Sequence, residues 1–409
     1  MTEQIRDIVI VGGGLAGAKA AETARAEGFD GTITIVGDEP HLPYERPPLS
    51  KGFLLGESPE EDIYVHPAQH YDDLDIVLHL DDPVTGIDRH RRTVATATGR
   101  QLTYDRLLLA TGASARRLPL GDGDLAGILT LRTLDDSRRL GDQLRSVNHV
   151  TVVGAGWIGC EVAAAARRLG VDVTIADPLD VPLQRVLGTK VGEVFRGLHA
   201  EHGVELRLGV RVSGASGTAR VEQVTLTDGT TLDTELVVVG IGAVPRTDLA
   251  ADAGLKVDDG IVVDETLTTS DPAILAAGDV ARAWHPSSGT HLRVEHWANA
   301  LNQGKTAGRN LIGASDTDDR LPYFYSDQYD LGMEYVGRAP EPDRVVIRGD
   351  TDQRQFIAFW LDDHEHVAAA MNVNIWDVVD DLKTLIRADR PIVRERLEDL
   401  DVPLADLTS

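Results

Sequence analysis

The chain has 409 residues, of which 42% are hydrophobic, so it is long enough for two or three domains with their own cores. It carries 40 lysines and arginines against 66 acidic residues, and the resulting net charge of −26 disfavours nonspecific binding to nucleic acid or to anionic membranes. No apolar run approaches the length that spans a bilayer, and the first residues lead directly into a predicted strand. We therefore expect no signal peptide, no membrane-spanning segment and a cytoplasmic location.

A glycine-rich turn follows the first predicted strand. Residues 8–11 form a β-branched run, and Gly12, Gly14 and Gly17 come directly after it. In this spacing the first glycine permits a tight strand-to-helix turn, the second lets the backbone approach a pyrophosphate, and the third lets the helix pack closely on the strand. The N-terminus of the helix then offers N–H groups and a positive dipole to the anion. The pattern predicts a dinucleotide site.

The same glycine pattern recurs in the middle of the chain. Residues 150–153 form a second β-branched run, and Gly154, Gly156 and Gly159 follow it. Glycine makes up 40 of the 409 residues, so a single copy could arise by chance, whereas two copies after matching strands could not plausibly do so. We therefore predict an α/β fold with two Rossmann-like domains and two bound dinucleotides.

An acidic residue follows the next predicted strand after each glycine turn. Residues 171–176 lead to Asp177, whose carboxylate can accept hydrogen bonds from ribose hydroxyls and would repel a 2′-phosphate. No arginine lies between Asp177 and Gln184, so the sequence favours NADH over NADPH. After the first glycine turn the acid comes later in the chain, and we assign the corresponding ribose role to Asp38.

Each half of this repeat closes with a buried strand and a turn of small residues. Residues 106–113 have this form in the first half, and residues 235–245 have it in the second. A third pattern, over residues 269–279, places Asp279 directly after a short buried strand. We expect Asp279 to hold polyol hydroxyls of a bound nucleotide.

Cys160 is the single cysteine, so the chain can form no intramolecular disulfide. Electrons that pass between two dinucleotides therefore cannot continue through a dithiol and must leave for an outside acceptor. We expect Cys160 to be a small buried apolar residue within a helix. This disfavours NADH oxidases, peroxidases and coenzyme A-disulfide reductases, which need a reactive sulfur at the flavin.

Thirteen histidines raise the question of a metal site. His285, His291 and His296 form one group, and His364 and His366 form another. Neither group matches a zinc or haem spacing, and no cysteines accompany them. We expect no metal site.

Short segments along the whole chain combine into a specific pattern. They are residues 12–17, 47–51, 110–112, 131–133, 154–161, 240–245, 277–279 and 325–328. In this order they resemble the FAD-dependent NADH:ferredoxin reductases of the putidaredoxin reductase type. The resemblance implies a glutathione reductase-like architecture with an FAD-binding domain at residues 1–114 and 245–320, an NADH-binding domain at residues 115–244, and a C-terminal α/β domain at residues 321–409.

The resemblance also implies the residues of the site. Lys51 and Glu161 would be the catalytic residues beside the isoalloxazine ring. The predicted FAD contacts are Gly12, Gly14, Leu15, Ala16, Gly17, Asp38, Arg46, Pro47, Lys51, Val84, Ala110, Thr111, Gly112, Arg132, Gly278, Asp279, Glu295, His296 and Trp297. The predicted NADH contacts are Gly154, Gly156, Trp157, Ile158, Gly159, Glu161, Asp177 and Gly242.

Glu161 and Lys51 allow two interpretations. Glu161 lies in the first turn of a predicted helix, where an acid is common because of the helix dipole alone. Alternatively, Glu161 orients the nicotinamide while Lys51 pairs with it and stabilises negative charge on the reduced flavin. The chain also departs from the family, because Tyr323, Phe324 and Tyr325 stand where tryptophans usually precede Ser-Asp-Gln.

The resemblance implies that electrons pass from NADH through FAD, one at a time, to an acidic ferredoxin with a 2Fe–2S cluster that feeds an oxygenase.

Two basic segments allow two interpretations, a solvated face or a ferredoxin-docking site. They are the stretch at residues 383–396 and the pair Lys305 and Arg309. Two alternatives remain: a monodehydroascorbate or quinone reductase, and an apoptosis-inducing-factor-like flavoprotein in which NADH controls binding and dimerisation rather than turnover. We expect a monomer or weak dimer, with no nucleic-acid or membrane partner.

Overall fold

The computed structural model describes residues 4–120 and 125–408. Residues 1–3 and 409, which the predicted domain limits include, lie outside the described residues, as do residues 121–124 of the predicted NADH-binding domain. The chain forms two compact units. The first compact unit comprises the described residues of Met1–Arg46, Pro59–Ser114 and Ala243–Arg320, and the second comprises those of Pro47–Ser58, Ala115–Gly242 and Leu321–Ser409.

The secondary structure combines short strands with helices, and several strands often follow one another before the next helix. The strands are β1 Asp7–Val11, β2 Thr32–Val36, β3 Ile76–His79, β4 Val84–Asp88, β5 Thr93–Thr96, β6 Gln101–Thr103, β7 Arg106–Leu109, β8 Ala113–Ala115, β9 Ile128–Leu129, β10 His149–Val153, β11 Asp172–Asp177, β12 Glu205–Leu208, β13 Val212–Ser216, β14 Gln223–Leu226, β15 Thr231–Asp233, β16 Leu236–Val239, β17 Ala243–Pro245, β18 Ile261–Val263, β19 Ile274–Ala276, β20 Ala281–His285, β21 Thr290–Arg293, β22 Tyr323–Gln328, β23 Leu331–Gly337, β24 Val345–Asp350, β25 Gln355–Leu361 and β26 Val367–Val373. The helices are α1 Leu15–Ala26, α2 Gly52–Leu55, α3 Ala68–Asp73, α4 Leu134–Leu144, α5 Trp157–Arg168, α6 Gln184–Glu201, α7 Asp248–Asp252, α8 Trp297–Leu311, α9 Val379–Arg387 and α10 Arg394–Glu398. Short 3₁₀ helices lie at Pro47–Ser50, Glu60–Ile63, Pro286–Ser288 and Leu404–Thr408.

A five-stranded parallel sheet forms the core of the first compact unit. Its strand order is β19-β7-β1-β2-β3. β1 and β2 consist largely of β-branched residues that are buried on both faces, as a parallel sheet requires. α1 and α8 approach each other so closely that a Cβ added at Gly304 would lie 2.6 Å from the carbonyl oxygen of Ala16. Only small residues permit this helix pairing.

The second compact unit contains a parallel sheet of the same kind. Its order is β12-β11-β10-β16-β9, and α5 packs on β10 and β11. α4 begins with a capping box in which the Thr133 side chain accepts from the Asp136 N–H and the Asp136 side chain accepts from the Thr133 N–H. Because the parallel register brings the ends of β10 and β11 together, the second glycine turn and Asp177 share one edge of this sheet.

An antiparallel sheet follows in the same compact unit. Its order is β22-β23-β26-β25-β24, and one core packs Phe359 and Leu361 of the sheet with Leu382 and Leu385 of α9. Three three-stranded sheets, β4-β5-β6, β13-β14-β15 and β18-β20-β21, and the pair β8-β17 complete the fold. The predicted α/β class with two Rossmann-like sheets is confirmed. Over residues 4–120 and 125–408, no helix has both the length and the apolar character needed to cross a membrane.

Candidate functional site

The first glycine turn has the geometry that a bound pyrophosphate requires. Gly12 has a φ of +125°, and a Cβ there would lie 2.1 Å from the carbonyl oxygen of Ala110. At Gly17 a Cβ would lie 2.3 Å from the carbonyl oxygen of Gly12, so helix and strand leave no room for a side chain. At Gly14, by contrast, a Cβ would meet nothing within 4 Å. The backbone is therefore open to a ligand at the second glycine and closed by protein at the other two.

The second glycine turn repeats this geometry. Gly154 has a φ of +103°, and a Cβ there would lie 2.5 Å from the carbonyl oxygen of Gly240. A Cβ at Gly159 would lie 1.9 Å from the carbonyl oxygen of Gly154, whereas at Gly156 the nearest atom would be 3.9 Å away. Both turns therefore fit the pyrophosphate of a dinucleotide.

The helices that follow the two turns begin without side-chain caps. Gly14 precedes α1 and Gly156 precedes α5, and neither contributes a side-chain hydrogen bond to the first helical turn. The first N–H groups of an α-helix have no partner within the helix, so a bound anion can satisfy them.

The acids that were predicted to hold ribose lie in different surroundings. Asp177 ends β11 and accepts the Ala155 N–H at 2.7 Å and the Leu179 N–H at 2.8 Å, one on each carboxylate oxygen. Each oxygen keeps a further lone pair for a ribose hydroxyl. Asp38 instead accepts from Arg246 Nη1 at 2.6 Å. No sequence pattern indicated Arg246.

Arg246 and Arg46 connect several predicted flavin contacts within the first compact unit. The Thr111 hydroxyl donates to the Arg246 carbonyl at 2.8 Å. Burial lowers the pKa of Arg46, but nearby groups, of which Tyr44 and Glu39 contribute most, together raise it above its ordinary value. Asp279 acts in the same direction. The predicted FAD contacts in this unit thus include a cation surrounded by acids.

Further predicted FAD contacts lie around the start of α8. His296 precedes this helix, and burial lowers the pKa of its ring to about 4, against the opposing effect of Asp279, so the ring is neutral at pH 7. Glu295 pairs with Arg293. Gly278, with a φ of +80°, donates its N–H to the Gln303 side chain at 2.9 Å.

The structure distributes the predicted contacts between the two compact units. The first compact unit contains Gly12, Gly14, Leu15, Ala16, Gly17, Asp38, Arg46, Val84, Ala110, Thr111, Gly112, Gly278, Asp279, Glu295, His296 and Trp297. The second contains Pro47, Lys51, Arg132, Gly154, Gly156, Trp157, Ile158, Gly159, Glu161, Asp177 and Gly242.

Glu161 is the centre of a buried polar cluster in the second compact unit. Its side chain is 5% exposed, and Lys51 Nζ lies 2.9 Å from its Oε1 atom. The Ser50 hydroxyl donates to Oε2 at 2.5 Å, and the Ser326 hydroxyl donates to Oε1 at 2.7 Å. The structure thus brings the two predicted catalytic residues together and adds two serines that lie in the family segments 47–51 and 325–328 but were not among the predicted site residues.

Aromatic and acidic side chains surround this cluster. Lys51 Nζ lies 5.9 Å from the ring centroid of Tyr325, which is 36% exposed. Burial raises the pKa of Asp327, while Lys51 lowers it and Glu161 raises it further. Lys51 therefore faces two carboxyl groups and one aromatic ring.

Other predicted contacts in this unit lie close to the second glycine turn. Trp157 packs edge-on against Phe324, with 4.6 Å between ring centroids. Ile158 is 40% exposed, and Gly242 has a φ of +99° with nothing within 4 Å of an added Cβ. The turn therefore presents an exposed apolar side chain and open backbone.

Cys160 is fully buried within α5. Burial raises the pKa of its thiol far above the ordinary value, with smaller contributions from Glu161 and Asp177. Because the nucleophilic form of cysteine is the thiolate, this residue is inert at neutral pH.

The described residues include one cluster with metal-ligand chemistry, and it involves none of the histidines considered above. Ligand atoms of Glu22, His66 and His70 lie within 4.8 Å of one another. Lys19 Nζ, however, lies 2.8 Å from the Glu22 carboxylate and 3.1 Å from the His66 ring. The Lys19 ammonium is the cation that this cluster holds.

Known proteins resemble the chain over nearly its full length. Residues 6–304 match the family described as pyridine nucleotide-disulphide oxidoreductase, and residues 323–408 match the family described as reductase C-terminal. Rhodocoxin reductase of Rhodococcus erythropolis is 42% identical over 86% of the chain and 83% of that relative. Putidaredoxin reductase of Pseudomonas putida is 38% identical over 98% of the chain and 96% of that relative. The crystal structure of the covalent putidaredoxin reductase–putidaredoxin complex contains a matching chain with a TM-score of 0.94 and 38% identity. The match covers 99% of the present protein and 98% of the chain in that crystal structure.

Proposed function

The chain belongs to the pyridine nucleotide-disulphide oxidoreductase family, and we propose that it passes electrons from NADH through FAD, singly, to a 2Fe–2S ferredoxin that feeds an oxygenase. The observation that carries this proposal is the pair of uncapped glycine turns in a chain whose single cysteine is buried. Two dinucleotides can bind, and no dithiol can take up the electrons. An outside acceptor is therefore required.

FAD and NAD(H) are the cofactors of this family, and when bound they supply the hydride and electron transfer. The residues of the chain bind and orient them. We assign the FAD pyrophosphate to the turn from Gly12 to Gly17, because only Gly14 leaves the backbone open there. Arg46 and Asp279 supply a cation and a hydrogen-bond acceptor in the same compact unit.

We assign NADH to the second glycine turn. The backbone at Gly156 is open to the pyrophosphate, and Asp177 at the end of β11 is the acceptor for ribose hydroxyls. Glu161 orients the nicotinamide from the first turns of α5. The Lys51 ammonium balances the buried Glu161 carboxylate and favours negative charge nearby.

The domain limits, the location and the acidity of the partner are also our proposals. Each of the three proposed domains, at residues 1–114 with 245–320, 115–244 and 321–409, has a sheet of its own. A reducing compartment such as the cytoplasm suits a chain with one buried thiol. We propose a monomer or weak dimer, since a net charge of −26 opposes self-association.

The decisive experiment follows NADH-dependent reduction of cytochrome c by the purified holoprotein with and without added 2Fe–2S ferredoxins. Reduction that requires ferredoxin supports the proposal. Rapid turnover of monodehydroascorbate or quinone, with no ferredoxin giving activity, would replace it with the corresponding reductase. NADH-induced dimerisation without turnover of any acceptor would instead indicate a flavoprotein that senses NADH.

A further inference from the structure

A chain of buried hydrogen bonds leads from Glu161 to a histidine of α6. The Ser326 hydroxyl lies 2.7 Å from Glu161 Oε1, and Gln328 Nε2 lies 3.3 Å from the Ser326 hydroxyl. Gln328 Oε1 in turn lies 3.0 Å from His199 Nε2. The exposed fractions are 5% for Glu161, 1% for Ser326, 1% for Gln328 and 0% for His199. These groups are therefore buried from bulk solvent, and each hydrogen-bonds to the next.

The carboxylate fixes the direction of every bond in this chain. An ionised carboxylate only accepts, so the Ser326 hydroxyl must donate to Glu161. The Ser326 oxygen then accepts from the amide nitrogen of Gln328, which turns the amide oxygen of Gln328 toward His199. That oxygen needs a donor, so the proton of the neutral His199 ring resides on Nε2.

The far side of His199 is consistent with this tautomer. Burial lowers the pKa of His199 to about 4, partly offset by the hydrogen bond to Gln328, so the ring is neutral at pH 7. Its Nδ1 atom lies 3.4 Å from the Tyr329 hydroxyl, which can donate to it. Tyr329 has a φ of +56° in the turn between β22 and β23 and stacks on His202 at 3.7 Å between ring centroids. The hairpin thus holds a donor against the ring.

We propose that His199 is a positioning residue for Glu161 and acts through Gln328 and Ser326. With Gln328 as its donor, the Ser326 hydroxyl is directed at Glu161, where it fixes the carboxylate together with Ser50 and Lys51. The inference rests on the proposed function, because Glu161 is the residue assigned to orient the nicotinamide. It extends that function to a side chain of α6 that touches neither cofactor nor substrate in the proposed assignment.

The kinetic experiment is stopped-flow reduction of the bound flavin by NADH in the holoprotein. Ser326→Ala removes a hydrogen bond to a charged group and should slow flavin reduction at saturating NADH about tenfold. Gln328→Met and His199→Phe interrupt the series of hydrogen bonds at positions more distant from Glu161, and each should slow flavin reduction about threefold. The double variant that combines Gln328→Met with His199→Phe should be no slower than either single variant, because both changes interrupt the same series of hydrogen bonds.

His199→Gln is the conservative rescue, since its amide can donate to Gln328, and it should restore most of the rate lost in His199→Phe. Thr174→Val is the matched control. Thr174 is a buried β11 residue whose hydroxyl lies 3.0 Å from His149 Nε2, outside the chain to Glu161. Thr174→Val should have a negligible effect on the rate of flavin reduction. Combined with Gln328→Met, it should leave the loss caused by Gln328→Met unchanged. Flavin absorbance and thermal unfolding establish that each variant is folded and loaded.

A second readout does not depend on activity. In ¹⁵N-histidine-labelled holoprotein the two ring nitrogens of a neutral histidine have widely separated shifts, and His199→Gln identifies the His199 signals. At pH 7 we expect a protonated Nε2 and an unprotonated Nδ1. In Gln328→Met we expect this tautomer preference to weaken.

A His199 ring protonated on Nδ1 in the wild-type protein would overturn the proposal, as would an unchanged rate in both Gln328→Met and His199→Phe. Additive losses in the double variant would also overturn it, since they would indicate general destabilisation. The proposed function fails separately. If Glu161→Gln leaves flavin reduction unchanged, Glu161 does not orient the nicotinamide, whatever the tautomer of His199.

Discussion

Lys51 is the charge partner of a carboxylate that is 5% exposed, and this pairing defines what its removal should do. Lys51→Ala leaves Glu161 with two hydroxyl donors and no counter-ion. We expect flavin reduction by NADH to slow at least tenfold, about 1.4 kcal/mol in the activation free energy, while NADH binding weakens less. Stopped-flow measurements over a range of NADH concentrations separate the two. A reduction rate equal to that of the wild type would assign Lys51 to structure alone.

Asp177 has both a structural and a proposed binding role. It holds the Ala155 and Leu179 N–H groups, and it is the acceptor assigned to the NADH ribose. We expect kcat/KM to favour NADH over NADPH at least tenfold, because a 2′-phosphate would face this carboxylate. Asp177→Asn should narrow the preference for NADH, but its single amide oxygen can accept only one of the two N–H groups, so thermal unfolding must show that the turn persists. Equal efficiency of the two nucleotides in the wild type would place Asp177 outside the ribose site.

His199 also affects the pH dependence of folding stability. Its pKa is about 4 in the folded protein against 6.5 for the free side chain, so between these values the unfolded chain binds a proton that the folded one does not. This contribution to stability is therefore complete above pH 6.5 and is lost as the pH falls toward 4, by up to about 3 kcal/mol. Urea unfolding from pH 4.5 to 7.5 should show a smaller loss on acidification in His199→Gln. If the free energy of unfolding depended on pH in the same way in the variant and the wild type, His199 would not contribute to this pH dependence.

At the level of elements, different glycines of one turn are needed for folding and for ligand binding. Gly14 has a φ of −95° and open space beyond its Cα, so Gly14→Ala should fold normally and yet block the approach of a pyrophosphate. We expect FAD affinity to fall at least tenfold with an unchanged circular dichroism spectrum. Gly12→Ala should instead fail to fold, since its φ of +125° and the 2.1 Å approach to Ala110 forbid a Cβ.

Gly156→Ala is the matched control in the second turn. It should retain FAD and weaken NADH binding, because Gly156 occupies the equivalent open position before α5. Flavin absorbance per chain and NADH titration measure the two effects. If Gly14→Ala kept full FAD affinity, or Gly156→Ala lost FAD, the assignment of the two turns would be wrong.

These elements were predictable from sequence because their determinants are local. A β-branched strand followed by three glycines within six positions predicts a turn of this kind, and its recurrence makes the prediction specific. The predicted fold class and family resemblance are confirmed. The surroundings of Glu161 were not predictable in this way. Ser50 and Ser326 reach it across 111 and 165 positions of sequence. Both lie in segments of the family pattern, 47–51 and 325–328, but that pattern does not show that their hydroxyls meet at Glu161. The direction of the hydrogen bonds to His199 required the fold itself.

For the whole molecule, the net charge of −26 opposes encounter with the acidic ferredoxin that we propose as its partner, so we expect docking to use a local basic surface. Within the 383–396 stretch, Lys383 pairs with Asp380 at 3.0 Å and Arg394 pairs with Glu365 at 2.9 Å. These contacts favour the interpretation of a solvated face for part of the stretch. Arg387 and Arg390 are exposed in the same stretch, so their side chains are accessible to a partner and are the ones chosen for the test.

We expect ferredoxin reduction to pass through a maximum as ionic strength rises. At about 0.15 M salt the Debye length is about 8 Å, so long-range repulsion by the net charge is screened while a patch still acts at contact. Higher salt then weakens the attraction of the patch, whereas the rate of flavin reduction by NADH varies less.

Reversing Arg387 and Arg390 to glutamate should raise the KM for ferredoxin several-fold and leave NADH-dependent ferricyanide reduction unchanged. Arg91 and Arg211, exposed arginines outside the stretch, provide a control with the same change in net charge. Equal effects of the two double variants would mean that only the overall charge matters and that docking uses another surface.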